Sequence, residues 1–279
     1  MKKSLYIILA VLAFVMAHPK ASAQILTINN DSINTDSVRA EFDRGPYFGL
    51  YKDNYFIFGT SIGPKPTKYN SNVKFQISIA QKLTKSTLPW HTYLYLFYTQ
   101  KVFWNVLQNS LPMTDMNFNP GIGLAKPLFV KDKFIGKLML QIEHESNGRD
   151  SIASRSWNKI TFGANILIDA NFSVHGKIWI PIIDGGYNRD ILKYCGIYQV
   201  GMSYQSRRFG GSVILVKRQG WNLNYNTIVE LSYKVGERHN QYLFLQYYNG
   251  YGEGLLEYNK FHSQLRVGFV IKPRIFSDY

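Results

Sequence analysis

Apolar and polar residues alternate repeatedly along the chain. Val73, Phe75, Ile77 and Ile79 are interleaved with Lys74, Gln76 and Ser78, and Thr227, Val229, Leu231, Tyr233 and Val235 with Glu230, Ser232 and Lys234. Near the C-terminus Leu265, Val267, Phe269 and Ile271 alternate with Gln264, Arg266 and Gly268. A period of two sends the two sets to opposite faces of a β-strand. The pattern predicts strands at 54–62, 73–83, 91–106, 117–128, 134–146, 157–168, 172–183, 195–206, 209–217, 224–235, 240–249 and 262–272. Their lengths are near the roughly 9–11 residues of a tilted membrane-crossing strand, and no segment after the N-terminal region supplies the roughly 20 apolar residues of a spanning helix.

The connections also alternate. Asp169-Ala170-Asn171, Arg207-Arg208 and Gly236-Glu237-Arg238-His239 are short, whereas 63–72, 107–116, 147–156, 184–194 and 250–261 are longer. Short turns at one end and long loops at the other are the arrangement of an outer-membrane barrel, with periplasmic turns and extracellular loops. The expected fold class is therefore all-β, a transmembrane antiparallel β-barrel of about 12 strands. A soluble sandwich is the rival architecture, but its turns need not sort by length.

The N-terminal region fits export. Lys2 and Lys3 precede the apolar run Leu5 to Ala17, and Ala21-Ser22-Ala23 is a small-residue cleavage site before Gln24, the pattern of a signal peptide over 1–23. Residues 24–50 are polar and aperiodic and read as a periplasmic N-terminal extension, followed by the barrel over 51–279.

Composition changes the picture in three ways. Of 279 residues, 46% are hydrophobic and 18% charged, which excludes a disordered chain. A single cysteine, Cys195, excludes a disulfide framework or a multi-cysteine zinc site. Without residues 1–23, 29 basic residues stand against 18 acidic ones, a net +11. For an exported protein this suits anionic lipid headgroups or lipopolysaccharide better than nucleic acid.

Candidate chemistry concentrates between Leu138 and Ile168. His144 and Ser146 share parity with Leu138, Leu140 and Ile142, and Asn158 with Ile160, Phe162, Ala164 and Ile166. All three polar residues would project from the lipid-facing surface, which is costly unless they satisfy one another. Antiparallel pairing would set Asn158 beside His144. Ser146 as nucleophile, His144 as general base and Asn158 as the orienting amide would form a hydrolytic triad. Taken alone, His-x-Ser is also compatible with residues of an interfacial girdle. Glu143 and Glu145 have the opposite parity and point to the lumen rather than to a paired-carboxylate site. His91, His175, His239 and His262 lack metal-ligand spacing.

Glu143-His144-Glu145-Ser146-Asn147-Gly148-Arg149 followed by Ser154-Arg155-Ser156-Trp157-Asn158 closely resembles the signature of the outer-membrane phospholipase A family. The likeness extends over nearly all of the chain after residue 47, including Tyr98-Thr99-Gln100-Lys101, Lys193-Tyr194, Tyr251-Gly252-Glu253 and Tyr258-Asn259. It implies a twelve-stranded barrel in the outer membrane that hydrolyses phospholipid acyl esters, needs Ca2+ and is active as a homodimer. It assigns Ser146, His144 and Asn158 to the triad, the Gly148 N–H to the oxyanion, and the Arg149 carbonyl and Ser154 hydroxyl and carbonyl to calcium. It further implies a ligand from the partner at the position of Ser110 and a dimer-supporting glutamine at Gln100. The loop carrying Ser110 is shorter than the family's, Leu111 stands where a second serine is usual, and Asp150 lies one residue early. A porin-like channel and a non-catalytic adhesin barrel are the rival functions.

Overall fold

The computed structural model describes residues 40, 43–44, 47–130, 133–182, 186–236 and 240–273. The expected signal peptide and residues 24–39 of the expected extension lie outside the described residues, as does His239.

The described residues form thirteen antiparallel strands in one sheet: β1 (Phe48–Leu50), β2 (Asn54–Ser61), β3 (Ser71–Lys82), β4 (Tyr93–Trp104), β5 (Met113–Val130), β6 (Lys133–Ser146), β7 (Ser156–Leu167), β8 (Phe172–Ile182), β9 (Tyr198–Gln205), β10 (Phe209–Lys217), β11 (Tyr225–Lys234), β12 (Gln241–Gly250) and β13 (His262–Ile271). Each of β2 to β13 pairs with its sequence neighbour, and β13 returns to β2 in a register running from Ile271↔Asn54 to Gln264↔Ser61. Those strands therefore close a twelve-stranded barrel, which leaves no unpaired edge in the bilayer. The short β1 prolongs β2 alongside β3.

The predicted strands match closely, with two informative exceptions. Residues 192–195, expected in part to begin a strand at Cys195, form a short helix, α1 (Leu192–Cys195), and β9 starts only at Tyr198. The connection between β3 and β4, residues 83–92, is the longest at the turn end and carries left-handed Trp90 and His91. Asp43, upstream of the barrel, secures it by accepting from the Ser86 N–H and hydroxyl, both at 2.8 Å.

Alternation separates each strand into two faces of opposite character. Along β6 the outward Leu138, Leu140 and Ile142 are exposed, whereas the inward Met139, Gln141 and Glu143 are buried. The lumen is polar and tightly bonded. Arg266 and Lys74 both donate to Glu253 Oε1, at 2.6 and 3.1 Å, and Lys74 also donates to Gln246. Glu253 belongs to the loop after β12, which folds inward. There the Leu255 and Leu256 N–H groups donate to Asn117 and Asp115, and Leu255 and Tyr258 pack with Ile191 and Trp157. This loop and α1 plug the loop end of the lumen, leaving a polar cavity of about 290 Å3 beneath them.

Burial alone would raise the Glu253 carboxyl, but Arg266 and Lys74 outweigh burial and hold it at about 2. Glu253→Gln leaves two buried cations without their counter-charge. It is expected to destabilise the barrel by about 3 kcal/mol, the usual cost of breaking a buried ion pair from one side. A lower guanidinium midpoint for unfolding in detergent checks this; an unchanged midpoint contradicts it.

Candidate active site

The β6–β7 hairpin builds the site. Register sets His144 directly opposite Asn158 and Ser146 opposite Ser156. His144 Nδ1 lies 2.8 Å from Asn158 Oδ1. With Asn158 accepting, Nδ1 carries the proton and Nε2 is left as the basic nitrogen. Ser146 is two residues further along the same outward face, roughly 7 Å at the usual strand rise. Its Oγ makes no hydrogen bond among the described residues. Ser146 and His144 are thus on one face without a hydrogen bond between them among the described residues, and in serine hydrolases such contacts are often loose before substrate binds.

The lumen holds this hairpin in register from behind. Glu145, between His144 and Ser146, accepts from Trp157 Nε1 and Lys159 Nζ, each at 3.0 Å. Trp157 and Lys159 flank Asn158 in turn, so the inward residues bracket the outward pair. Asn119 on β5 donates to the His144 carbonyl at 2.9 Å and to Glu143 at 3.0 Å. The lumenal reading of Glu143 and Glu145 therefore holds. Their ties to Asn119 and Lys159 run to the neighbouring strands β5 and β7 and follow from the β5–β6 and β6–β7 registers rather than from spacing along β6.

The loop from 147 to 155 is tied by Asn147, buried directly after Ser146. Its Oδ1 accepts from the N–H groups of Arg155 (2.9 Å) and Arg149 (3.4 Å), and its Nδ2 donates to the Ala153 carbonyl at 2.8 Å. One side chain thus holds both ends of the segment carrying Gly148, Arg149 and Ser154. Asn147 lay in the quoted signature without a role, and an asparagine leading into a loop was the available cue. Gly148 is left-handed at φ +62°, and a Cβ there would come within 2.9 Å of the Phe118 ring, so glycine suits both the turn and the close approach.

The donors that the resemblance assigns to calcium are oxygens of this loop, appropriate to a hard cation. Arg149 turns its guanidinium away to the Thr114 carbonyl, 2.6 Å, leaving its own carbonyl unobstructed by that charge. The Ser154 carbonyl already accepts from Arg155 Nη1 at 2.8 Å but retains a second lone pair. Among the described residues no group of three or more His, Cys, Asp or Glu could hold a metal, so a cation here would rest mainly on neutral oxygens. These residues fit calcium as a weakly charged, hydrated site.

Ser110 and Gln100 make no hydrogen bond to this cluster among the described residues, although Gln100 pairs with Phe118 and Phe118 with Ser146, which sets Gln100 two strands from Ser146 at the same level. Ser110 is in the β4–β5 loop, left-handed at φ +63°, and Leu111 beside it is also left-handed. Trp104 Nε1 fastens this turn by donating to the Leu111 carbonyl at 2.8 Å. No hydrogen bond joins Ser110 to Arg149 or Ser154 among the described residues. Gln100 projects outward from β4 and accepts from the Tyr98 hydroxyl at 3.3 Å.

A pore must keep its lumen open, and here the chain fills it and displays its polar cluster on the outer wall instead. The class so defined is a membrane-barrel enzyme. A sequence model of the phospholipase A1 family matches residues 51–271, and the chain belongs to that family. It is accordingly an outer-membrane barrel and an ester hydrolase. Similar proteins include phospholipase A1 of Salmonella typhimurium, 37% identical over 205 residues that cover 70% of this chain and 67% of that one. The Escherichia coli K12 phospholipase A1 is 35% identical over the same shares. Among solved structures, the chain is similar to outer membrane phospholipase A from Escherichia coli (28% identity, 81% of this chain and 98% of that one, TM-score 0.71). It is also similar to the calcium-bound dimer of the Salmonella typhi outer membrane phospholipase (28% identity, 85% and 97%, TM-score 0.73).

Proposed function

We propose that this protein is a calcium-dependent phospholipase that cleaves acyl esters of outer-leaflet phospholipids with Ser146, His144 and Asn158, and that it works as a homodimer. The observation that carries the reading is the His144–Asn158 pair at 2.8 Å on the lipid-facing wall, with Ser146 along the same face. Nothing structural requires three polar side chains there.

In this reading, Ser146 Oγ attacks the ester carbonyl as His144 Nε2 takes its proton, and His144 then returns the proton to the leaving glycerol oxygen; a water deprotonated by His144 next cleaves the acyl-serine, releasing the fatty acid and restoring Ser146. Asn158 holds the imidazole's tautomer and ring plane through Nδ1. An amide does this without leaving a carboxylate in lipid. The Gly148 N–H donates to the developing oxyanion. When bound, calcium would supply a Lewis acid beside that oxyanion, held by the Arg149 carbonyl, the Ser154 oxygens and Ser110 of the partner subunit. Ser110 makes no hydrogen bond within its own chain, among the described residues, to the loop it would complete, and Gln100 projects outward; both suit a contact across two barrels. A known relative adds support, being a dimer with bound calcium. The loop-end position would put the ester within the outer leaflet, where lipopolysaccharide is the neighbouring lipid.

The test is hydrolysis of a defined diacyl phospholipid in detergent micelles. Fatty acid and lysophospholipid are expected, with specific activity rising as protein per micelle increases. Ion conductance across planar bilayers without lipid hydrolysis would overturn the proposal in favour of a porin. Activity indifferent to protein density would remove the dimer.

A further inference from the structure

The loop joining β10 to β11 displays two large apolar side chains at its tip. Trp221 is fully exposed and Leu223 is 90% exposed. The loop itself is firmly built. Lys217 Nζ donates to the carbonyls of Arg218 and Gly220 (2.5 and 2.8 Å) and to Asn224 Oδ1 (2.6 Å), using all three of its protons. Asn224 Nδ2 reaches back to the Gln219 carbonyl, and the Arg218 N–H to the Asn224 carbonyl.

The direction in which Lys217 points places this loop. On β10, Ile214 and Val216 line the lumenal cavity, so Lys217 lies on the outward face. It pairs with Tyr198 on β9 and Tyr225 on β11. The outward face below this row carries Val200, Val213, Leu215, Val229 and Leu231, and at the turn end it closes with Tyr204, Phe209 and Tyr233. An apolar band between two aromatic rows is the lipid-facing wall of a barrel, and the aromatic rows mark the headgroup levels. A bare lysine in such a row would extend to water. Here its ammonium is consumed by the loop, which must fold over the outer wall to reach it.

We infer that residues 218–224 are a preorganised membrane anchor, which inserts Trp221 and Leu223 into the loop-end lipid interface surrounding the barrel. A rigid loop loses little conformational entropy on insertion, and an indole suits the boundary between headgroup and acyl chain. In the strand circle this loop lies opposite the β4–β5 loop that carries Ser110. A dimer formed through the β4 side would therefore leave the anchor in lipid. The inference rests on the outer-membrane placement and is independent of the hydrolytic mechanism.

The test uses tryptophan fluorescence of the full protein in vesicles of ether-linked phosphatidylcholine, which offers no ester to cleave, with and without bromine near the headgroup end of the chains. The difference between wild type and Trp221→Phe isolates this one indole among five. Its emission is expected to be blue-shifted and quenched about twofold by bromine. In a Trp221→Phe/Leu223→Trp protein the quenched signal should return from the neighbouring position. Emission typical of water, quenched by aqueous iodide but not by bromolipid, would overturn the anchor. So would a loop shielded from both quenchers, with Trp221→Phe altering the sedimentation of the protein, because the loop would then be covered by a second copy.

Discussion

Ser146→Ala is expected to lower phospholipid hydrolysis by at least about a thousandfold while the barrel stays folded, because the variant loses the hydroxyl proposed to attack the ester. The two halves of this expectation have separate physical origins. Ser146 is half-buried at the end of β6, and its Oγ makes no hydrogen bond among the described residues. Removing it forfeits no interaction of the fold, so heat-modifiable gel mobility should be unchanged. The chemical loss is large because, in the proposed mechanism, the hydroxyl acts together with His144. His144→Ala should cost about as much, and the double variant hardly more than either single one, since members of a triad fail as a unit. Fatty-acid release near the wild-type rate from the folded Ser146→Ala protein would sink the mechanism, and additive losses would mean that the two side chains act separately.

Much of this was legible because a membrane barrel writes its geometry locally. Strand parity is a two-residue signal, and lipid outside with a polar lumen inside gives the two faces opposite composition. The outward placement of His144, Ser146 and Asn158 follows from counting residues, as does the inward placement of Glu143 and Glu145. Turn lengths then place the hairpin at one end. The plug is a different matter. Glu253 meets Lys74 across 179 positions and Arg266 across 13, and the loop after β12 has the composition of any surface loop. Asn119 is likewise 25 positions from the His144 carbonyl it supports. The Lys74 contact depends on barrel closure, which brings β3 beside the loop after β12, and the Asn119 contact on the β5–β6 register. The helix at 192–195 was hidden for a related reason: 184–194 reads as a loop, and this single turn is held by packing Leu192 and Tyr194 onto the plug, which local spacing does not record.

Calcium chelation is expected to reduce hydrolysis to background, with full recovery on adding calcium back. The donor set also sets the concentration required. The Arg149 carbonyl and the Ser154 hydroxyl and carbonyl carry no formal charge, and a site with few charged ligands belongs to the weak end of calcium affinities, roughly 10⁻⁴ to 10⁻³ M. Ser154→Ala should raise the calcium needed for half-maximal activity about tenfold or more while leaving the folded barrel unchanged. Asn147 predicts a further distinction: because it ties Arg149 and Arg155 to one side chain, Asn147→Ala should weaken calcium binding by loosening the loop without removing any ligand. If Ser110 of the partner subunit completes the shell, calcium binding and dimerisation must be coupled. By linkage each then strengthens the other by the same factor. Titration calorimetry at protein concentrations below and above the dimer transition would read that factor directly, and sedimentation with and without calcium should return it again. Hydrolysis indifferent to chelation would remove the metal from the mechanism. Calcium affinity independent of dimer population would place every ligand within one chain, and Ser110 would revert to a loop hydroxyl.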